Sequence, residues 1–117
     1  PIVLFEADKN IDTGKILLKE NIKLAGHELS DEWREIQGNK TINLCIKFTR
    51  NINKIVKKVQ KKTKGSYYRR RNKQDSVIDL NKSLKEQFNL LRVVDNNNYP
   101  AFFKYKKHNY RLKIEKI

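Results

Sequence analysis

The sequence predicts an α/β fold in which a pair of short strands precedes a long helix, a basic loop, a short helix and a final β-hairpin. Two apolar runs, residues 1–5 and 15–20, flank a turn-rich segment at 10–14, which is typical of a strand-turn-strand. An amphipathic helical pattern follows, and residues 101–117 return to alternation. We therefore expect a strand pair near each end of the chain, with the helices between them.

The turn between the first two strands is acidic, and Asp12 lies near its end. An aspartate in a turn ordinarily bonds its own backbone, so a turn-forming function is one interpretation of Asp12. A carboxylate held at the mouth of a strand pair can also orient a histidine or hold a reacting water. The residues alone leave both interpretations open.

A long helix is predicted from Ser30, where an N-cap residue is followed by the acidic pair Asp31 and Glu32. Gly38 is a candidate position for a kink or interruption. Apolar residues at helical spacings continue the buried face, at Trp33, Ile36, Leu44, Phe48, Ile52, Ile55, Val56 and Val59.

The later part of this predicted helix has a cationic face and a predicted stop at Gly65. Such a face is usually solvent-exposed. Its lysines are Lys54, Lys57, Lys58, Lys61, Lys62 and Lys64.

A second helix of about three turns is predicted after Ser83, because Glu86 three residues later completes a capping-box signature. Residues 96–98 are three asparagines that end it. Its apolar positions are Leu84, Phe88, Leu91 and either Val94 or the neighbouring Asp95.

The alternating segments 101–106 and 110–117 predict a β-hairpin whose turn is residues 107–109. This pattern places Phe102 on a face with Leu112 and Ile114. Aromatic and aliphatic residues on both faces predict a contact surface, either for a homodimer or for another region of a longer protein.

Composition bounds the function classes. With 27 Lys and Arg against 13 Asp and Glu, the 117-residue chain has a net charge of +14, which favours phosphates, anionic cofactors or nucleic acid as partners. The single cysteine, Cys45, excludes an internal disulfide and a cysteine-built zinc site, and its apolar neighbours predict a packed thiol. No metal site is predicted. No apolar run approaches the ~20 residues that span a bilayer, so we expect a soluble, cytoplasmic protein.

The phrase Ile11-Asp12-Thr13-Gly14, followed by a Lys-Ile-Leu strand, resembles the segment of folate-dependent formyltransferases that carries their catalytic aspartate. Residues 67–79 begin with two tyrosines and three arginines and later contain Asp-Ser; Leu-Arg-Val-Val-Asp at 91–95 and Tyr-Pro-Ala-Phe at 99–102 follow. This order is similar to that of the sugar N-formyltransferases. The chain departs from them at Asn72-Lys73, where the family more often has Thr-Pro, and in lacking a glycine after Pro100.

The resemblance implies transfer of a formyl group from the cofactor 10-formyltetrahydrofolate to the amine of a nucleotide-linked amino-deoxy sugar, a reaction that feeds lipopolysaccharide or other surface glycans. It assigns Asp12 to catalysis, as the partner of a histidine that takes a proton while an asparagine stabilises the oxyanion. The pterin pocket would be lined by Asp8, Asn10 and Ile11, mainly through their main chains.

The resemblance also implies a nucleotide-sugar site in the loop that contains residues 67–71, called the basic loop below. Tyr68 supplies a ring, and Arg70 and Arg71 supply planar donors that match phosphate oxygens. A solvated basic loop is the alternative interpretation. Asp75 is expected to hold the loop, and Arg92 to attach the second helix to it.

The family's catalytic asparagine and histidine lie upstream of the matching segment, and His27 and His108 do not correspond to them. The chain contains no methionine and opens on Pro1. We therefore expect the C-terminal portion of a longer enzyme, inactive alone, with residues 1–65 ending the catalytic core and residues 66–117 forming the substrate loop, helix and hairpin.

Two alternative functions remain open at the level of the sequence. Methionyl-tRNA formyltransferases share the catalytic core, although they generally carry a Tyr-Ala-x-Lys-like segment in place of the basic loop and end in a sizeable barrel domain. A non-enzymatic RNA-binding module accounts for the strong basicity. It does not account for the turn that contains Asp12.

Overall fold

The computed structural model of the chain describes residues 1–61 and 67–117. The predicted α/β class and order of elements are confirmed. The elements are β1 (Ile2–Phe5), β2 (Ile16–Glu20), α1 (Ser30–Arg50), 3-10 helices at Ile52–Lys54 and Lys73–Ser76, α2 (Leu84–Val93), β3 (Ala101–Tyr105) and β4 (His108–Leu112).

The chain divides into two compact units. The N-terminal unit comprises Pro1–Lys23 and Trp33–Ser66, and the C-terminal unit comprises Leu24–Glu32 and Tyr67–Ile117. Residues 24–32 therefore belong with the C-terminal unit, although they precede most of α1. The functional division at residue 65 stays a prediction.

In the N-terminal unit, β1 and β2 form an antiparallel pair with a register shift between Leu4 and Phe5. The strand β1 is half-buried at its first three residues and exposed at Phe5. Helix α1 begins at Ser30, as predicted, and the Glu32 carboxylate accepts a hydrogen bond of 2.7 Å from the Leu29 N–H. This bond satisfies an amide that the first helical turn leaves without a partner.

The prediction that the long helix continues through Ile55 and Val59 is wrong. Helix α1 ends at Arg50, where the Asn51 side chain donates to the Lys47 carbonyl at 2.9 Å. After one 3-10 turn the backbone is extended, and Lys58 exchanges both backbone hydrogen bonds with Ile16, at 2.8 and 2.9 Å. A pairing partner 42 positions away in sequence, 58 − 16, thus overrides the helical spacing of the apolar residues.

The lysines that were predicted to form a cationic helix face do not lie on α1, which ends before them. Lys57, Lys58 and Lys61 are exposed along the extended segment beyond α1. The predicted stop at Gly65 and the lysines Lys62 and Lys64 lie outside the described residues.

Cys45 is exposed, so the prediction of a packed thiol is wrong. Its neighbour Leu44 is the buried residue of this turn of α1, with 2% of its surface accessible. Adjacent helical positions point in directions about 100° apart, so burying Leu44 turns Cys45 away from the same contact. Gly38 lies within the helix and does not interrupt it.

The core of the C-terminal unit consists of Ile78, Leu91, Val94 and Ala101, against which Leu90, Phe103, Leu112 and Ile114 pack. Helix α2 begins as its sequence predicts. The Ser83 hydroxyl accepts from the Glu86 N–H at 3.3 Å, and the Glu86 carboxylate accepts from the Ser83 N–H at 2.8 Å. This reciprocal cap fixes where α2 starts.

The hairpin is present, but its predicted turn is wrong. The turn consists of Lys106 and Lys107, whose φ angles of 45° and 69° are both left-handed. Two consecutive left-handed residues form the turn that matches the twist of a two-residue hairpin. The turn at residues 107–109 predicted from the sequence is therefore displaced, and the pairing of the strands changes with it.

This register decides the faces of the hairpin. Ala101 pairs with Leu112 and Phe103 with Tyr110, so these residues share one face. Phe102 pairs with Arg111 on the opposite face, and the prediction that Phe102 shares a face with Leu112 is wrong.

None of the helices among the described residues combines the length and the apolar composition that a membrane span requires.

Candidate functional site

The turn between β1 and β2 is ordered by Asp8, and not by Asp12. The Asp8 carboxylate accepts from the Lys9 N–H at 2.7 Å and from the Thr13 hydroxyl at 3.3 Å, and that hydroxyl also reaches the Asn10 carbonyl at 3.1 Å. The turn-forming function considered for Asp12 thus belongs to Asp8. These bonds engage the Asp8 carboxylate and the Asn10 carbonyl within the turn.

The backbone around Asp12 is held in an unusual conformation. Asp12 has a φ of 58°, in the left-handed region. Aspartate adopts this region more readily than most residues with a Cβ, mainly in turns. Gln60 binds this backbone through its Nε2, which donates to the carbonyl oxygens of Asp12 at 2.8 Å and Gly14 at 2.7 Å.

The Asp12 side chain is exposed, and it has no hydrogen-bond or ion-pair partner among the residues that the structure describes. Ile11 beside it is 91% exposed. An oriented backbone with an uncommitted carboxylate leaves Asp12 able to accept a proton or hydrogen bond from a group outside this turn.

The basic loop in the C-terminal unit is closed by Asp75. Both oxygens of its carboxylate bind the guanidinium of Arg69, with Nη1 to Oδ2 at 2.9 Å, and Oδ2 also accepts from the Asn72 N–H at 2.8 Å. The hydrogen bonds from Arg69, followed by that from Asn72, hold the pKa of Asp75 below its ordinary value. Asp75 therefore holds the loop, as the sequence predicts.

Arg71 is half-buried and is tied to the body of the unit. Its Nη2 donates to the Ser76 hydroxyl at 3.0 Å and to the Asp75 carbonyl at 3.3 Å. Ser76, which is fully buried, donates in turn to the Tyr99 carbonyl at 2.9 Å. The buried Nε of Arg71 has no partner within the part of the chain described. Arg71 thus orders the loop through its Nη2 group.

Tyr68 and Arg70 are the exposed members of the predicted substrate site. Tyr68 is 86% exposed, and the Arg70 guanidinium has no partner among residues 1–61 and 67–117. The structure thus separates the predicted site into two free side chains, Tyr68 and Arg70, and one that is mainly engaged, Arg71.

Arg92 does not attach α2 to the basic loop, and that prediction is wrong. Its Nη1 donates to the Glu28 carbonyl at 3.2 Å, and its Nε donates to Asn89 at 2.8 Å. Arg92 therefore joins α2 to the segment 24–32, which packs in the same unit. The distance in sequence between Arg92 and Glu28 gives no indication of this contact.

Sequence reasoning also missed Gln60 and Ser76 as ordering residues. Gln60 lies 48 positions from Asp12, and no local pattern connects them. Ser76 belongs to the Asp-Ser pair of the resembling segment, but its burial depends on Tyr99, which is 23 positions away. In the described ranges, no group of three or more His, Cys, Asp or Glu side chains is arranged to hold a metal ion.

Comparisons with solved structures agree with the formyltransferase resemblance at the level of the fold. The chain is similar to a methionyl-tRNA formyltransferase from Clostridium thermocellum, with a TM-score of 0.71 and 20% identity over 98% of this chain and 49% of the other. It is similar to a 4-N formyltransferase from Francisella tularensis, with a TM-score of 0.68 and 25% identity over 98% of this chain and 51% of the other.

A protein from Mycobacterium tuberculosis inferred to be a sugar N-formyltransferase matches with a TM-score of 0.65 and 15% identity over 96% of this chain and 51% of the other. No family model and no curated protein matches the sequence. The chain therefore has the fold of part of a formyltransferase and spans about half the length of these structures.

Proposed function

We propose that the chain contributes the C-terminal portion of a folate-dependent formyltransferase that acts on the amine of a nucleotide-linked amino sugar, with 10-formyltetrahydrofolate as the formyl donor. The fold shared with formyltransferases supports the reaction class. The observation that carries the proposal is the turn at residues 6–15, where Gln60 binds the Asp12 and Gly14 carbonyls and the Asp12 carboxylate has no partner among the described residues.

In this reaction the Asp12 carboxylate orients a general base that is supplied by the rest of the enzyme, and it raises the basicity of that group. The base takes the proton of the attacking amine, and the carboxylate stabilises the cation that forms. The folate cofactor supplies the activated formyl carbon when it is bound. Asp8, Asn10 and Ile11 are proposed to contact the pterin, with Asp8 and Asn10 acting mainly through the backbone that their hydrogen bonds shape.

The basic loop supports a nucleotide sugar as the substrate. Asp75 and Arg69 hold a compact loop on which Tyr68 and Arg70 are free. A planar guanidinium that is not engaged with a carboxylate can grip a diphosphate with paired donors, and an exposed ring can pack on a sugar or base. Arg71 is proposed to contribute guanidinium N–H groups other than those that bind Ser76 and Asp75.

Transfer to methionyl-tRNA is the competing function, because one of the matched structures is a methionyl-tRNA formyltransferase. The net charge of +14 is compatible with either substrate. Affinity for tRNA depends steeply on salt because many phosphates are contacted, whereas binding of one diphosphate depends on salt less. Competition between tRNA and nucleotide sugars at physiological salt therefore decides between them.

The experiment that tests the proposal uses the full protein encoded by the natural gene that contains this chain. It is incubated with 10-formyltetrahydrofolate and amino sugars linked to UDP, TDP or GDP, and the formylated product is identified by mass spectrometry. Asp12→Asn is expected to lower kcat roughly hundredfold, the scale of losing a positioned catalytic group, with substrate binding little changed. Asp31→Asn, an exposed carboxylate at the start of α1, is the control.

The 117-residue chain alone is expected to be inactive, because it contains no counterpart of the family's asparagine and histidine. Turnover by this chain alone contradicts that part of the proposal. Absence of formyl transfer to any amino sugar by the full protein contradicts the function as a whole.

A further inference from the structure

The far end of the C-terminal hairpin is not covered by the rest of its unit. Residues 104–111 are exposed without interruption, whereas Ala101 at the start of β3 is fully buried. Residues 104–108, called the hairpin tip below, do not line the cavity that lies beside the hairpin strands. The hairpin tip is also separate in sequence from the Asp12 turn and the basic loop, so the proposed function gives it no part.

The turn in the hairpin tip is occupied by residues that its backbone conformation disfavours. Lys106 and Lys107 have φ angles of 45° and 69°, both in the left-handed region. A two-residue hairpin turn of this kind is normally formed by Asn-Gly or Asp-Gly, because the Cβ atom of a longer residue opposes a positive φ. The local backbone energy therefore does not explain two successive lysines here. An outlier of this kind points to a function of the side chains.

The positive charge of the hairpin tip is not compensated. Lys104, Lys106 and Lys107 lie within residues 104–107, and the sequence has no aspartate or glutamate between Asp95 and Glu115. None of these three lysines forms an ion pair with a carboxylate of the residues that the structure describes. An exposed group of like charges without counter-ions from its own chain attracts an anionic partner.

The chemistry of the hairpin tip favours a broad anionic surface over a single ligand or a nucleic acid. Its cations are lysines, which are hydrated point charges and do not impose the bidentate geometry with which arginine recognises one phosphate. Stacking of a nucleic-acid base on Tyr105 would have to compete with Lys106, whose Nζ lies 5.6 Å from the centroid of that ring. An anionic bilayer presents its headgroups over a plane, so it can contact all three lysines without a complementary shape.

We propose that the hairpin tip docks on an anionic lipid bilayer, with Lys104, Lys106 and Lys107 among the phosphate headgroups. The contact is peripheral, and no segment of the chain crosses the bilayer. Lys104 lies on the hairpin face opposite Phe103 and Tyr110, so that aromatic face stays available for contacts between protein chains. The attraction of a few lysines to a charged surface is moderate and screened by salt, so docking is reversible and weakens as the ionic strength rises.

The test is cosedimentation of the 117-residue chain with lipid vesicles at ~0.1 M salt. The wild-type chain is expected to bind phosphatidylcholine vesicles that contain about 30% phosphatidylglycerol, and not vesicles of phosphatidylcholine alone. Lys106→Gln combined with Lys107→Gln is expected to lower the partition coefficient about tenfold or more, because each lysine near such a surface contributes roughly fivefold. Lys82→Gln combined with Lys85→Gln is the matched control, since both lysines are exposed in the same unit and the same charge is removed.

A second variant separates the loss of charge from any loss of folding. Lys106→Asn combined with Lys107→Gly gives the turn the residues that it favours, so the melting temperature is expected to rise by about 4 °C. Binding to anionic vesicles is expected to fall as it does in the glutamine variant. A chain that is more stable and yet binds less shows that the two lysines act on the bilayer and not through the fold.

Absence of binding to the anionic vesicles overturns the proposal, as does equal weakening by the control variant. Equal binding to vesicles of phosphatidylcholine alone also overturns it, because apolar contact and not charge would then be responsible. Binding of tRNA that displaces the vesicles and depends on Lys106 and Lys107 overturns it in favour of a nucleic-acid surface. These measurements do not involve formyl transfer, so their outcome is independent of the proposed function.

Discussion

A Cβ atom on Gly14 would lie 1.7 Å from the carbonyl oxygen of Glu6. The backbones of these residues meet where the turn closes, beside the hydrogen bond of 3.0 Å from the Glu6 N–H to the Lys15 carbonyl. Only glycine permits this approach, which brings the two ends of the turn together around Asp12. The position of the candidate catalytic carboxylate thus depends on a residue with no side chain.

Gly14→Ala is expected to destabilise the chain by about 3 kcal/mol or more, because the backbone must shift to relieve a contact with another backbone atom. Urea unfolding followed by circular dichroism measures the change. Gly38→Ala is the control, since nothing lies within 4 Å of its Cβ position on the exposed side of α1. It is expected to stabilise by about 0.5–1 kcal/mol, and similar losses in both variants would contradict the steric argument.

Gln60→Ala removes both hydrogen bonds from the Gln60 amide to the Asp12 and Gly14 carbonyls. We expect a loss of about 1–2 kcal/mol in the free energy of unfolding, together with faster amide exchange in the turn. Gln37→Ala on α1 provides the comparison, because the Gln37 side chain is exposed. Unchanged exchange at Thr13 and Gly14 in the Gln60 variant would show that Gln60 does not order the turn.

Glu28 gives the C-terminal unit a pH dependence. The Ala25 N–H at 2.6 Å, with further backbone donors including the Gly26 N–H at 2.9 Å, lowers the pKa of Glu28 from 4.5 to about 2. A carboxyl with a lower pKa in the folded state stabilises the fold above its unfolded pKa and loses this contribution as the pH falls.

Glu28→Gln is therefore expected to lower the melting temperature at pH 7, and the difference from wild type is expected to shrink between about pH 4.5 and pH 2. Thermal unfolding across this pH range measures it. Glu35→Gln, an exposed change on α1, serves as the control. A difference that stays constant from pH 7 to pH 2 would show that the Glu28 charge is not responsible.

Arg70→Ala and Arg71→Ala are expected to differ. Both should weaken nucleotide-sugar binding by more than about 1 kcal/mol, the scale of a lost charged hydrogen bond. Arg71→Ala should also lower the melting temperature, because it removes the bond to buried Ser76, whereas Arg70→Ala should not. Calorimetric titration and thermal unfolding of the same samples test this, and equal effects on stability would contradict the distinction.

Self-association through the hairpin is a further prediction. Phe103 stacks on Tyr110 at 5.4 Å between ring centroids, and Tyr105 on the same face is 53% exposed. Sedimentation velocity over a concentration series is expected to show a dimer that Tyr105→Ser weakens. Tyr67→Ser, which removes an exposed tyrosine outside the hairpin, should leave it unchanged. A monomer at every concentration would rule out this interface.

The sequence alone determined those helices, strands and turns that depend on interactions between residues close together in the chain. The Ser83 and Glu86 pair fixes the start of α2, because both hydrogen bonds form within one turn. The acidic turn between the first two strands and the C-terminal hairpin could be predicted from the sequence for the same reason, because each forms between residues that are near in sequence. The resemblance to formyltransferases also came from sequence order, and the shared fold is consistent with it.

Tertiary contacts decided where the first helix ends, which arginine side chain is free and how the hairpin strands are paired. Ile16 pairs with Lys58 and ends the helical continuation that spacing alone favours. The engagement of Arg69 by Asp75 and of Arg71 by Ser76 decides which guanidinium is free. The left-handed turn at Lys106 and Lys107 sets the register that pairs Phe102 with Arg111. Helical periodicity and composition describe each residue with its close neighbours, whereas these outcomes depend on partners that only folding brings near.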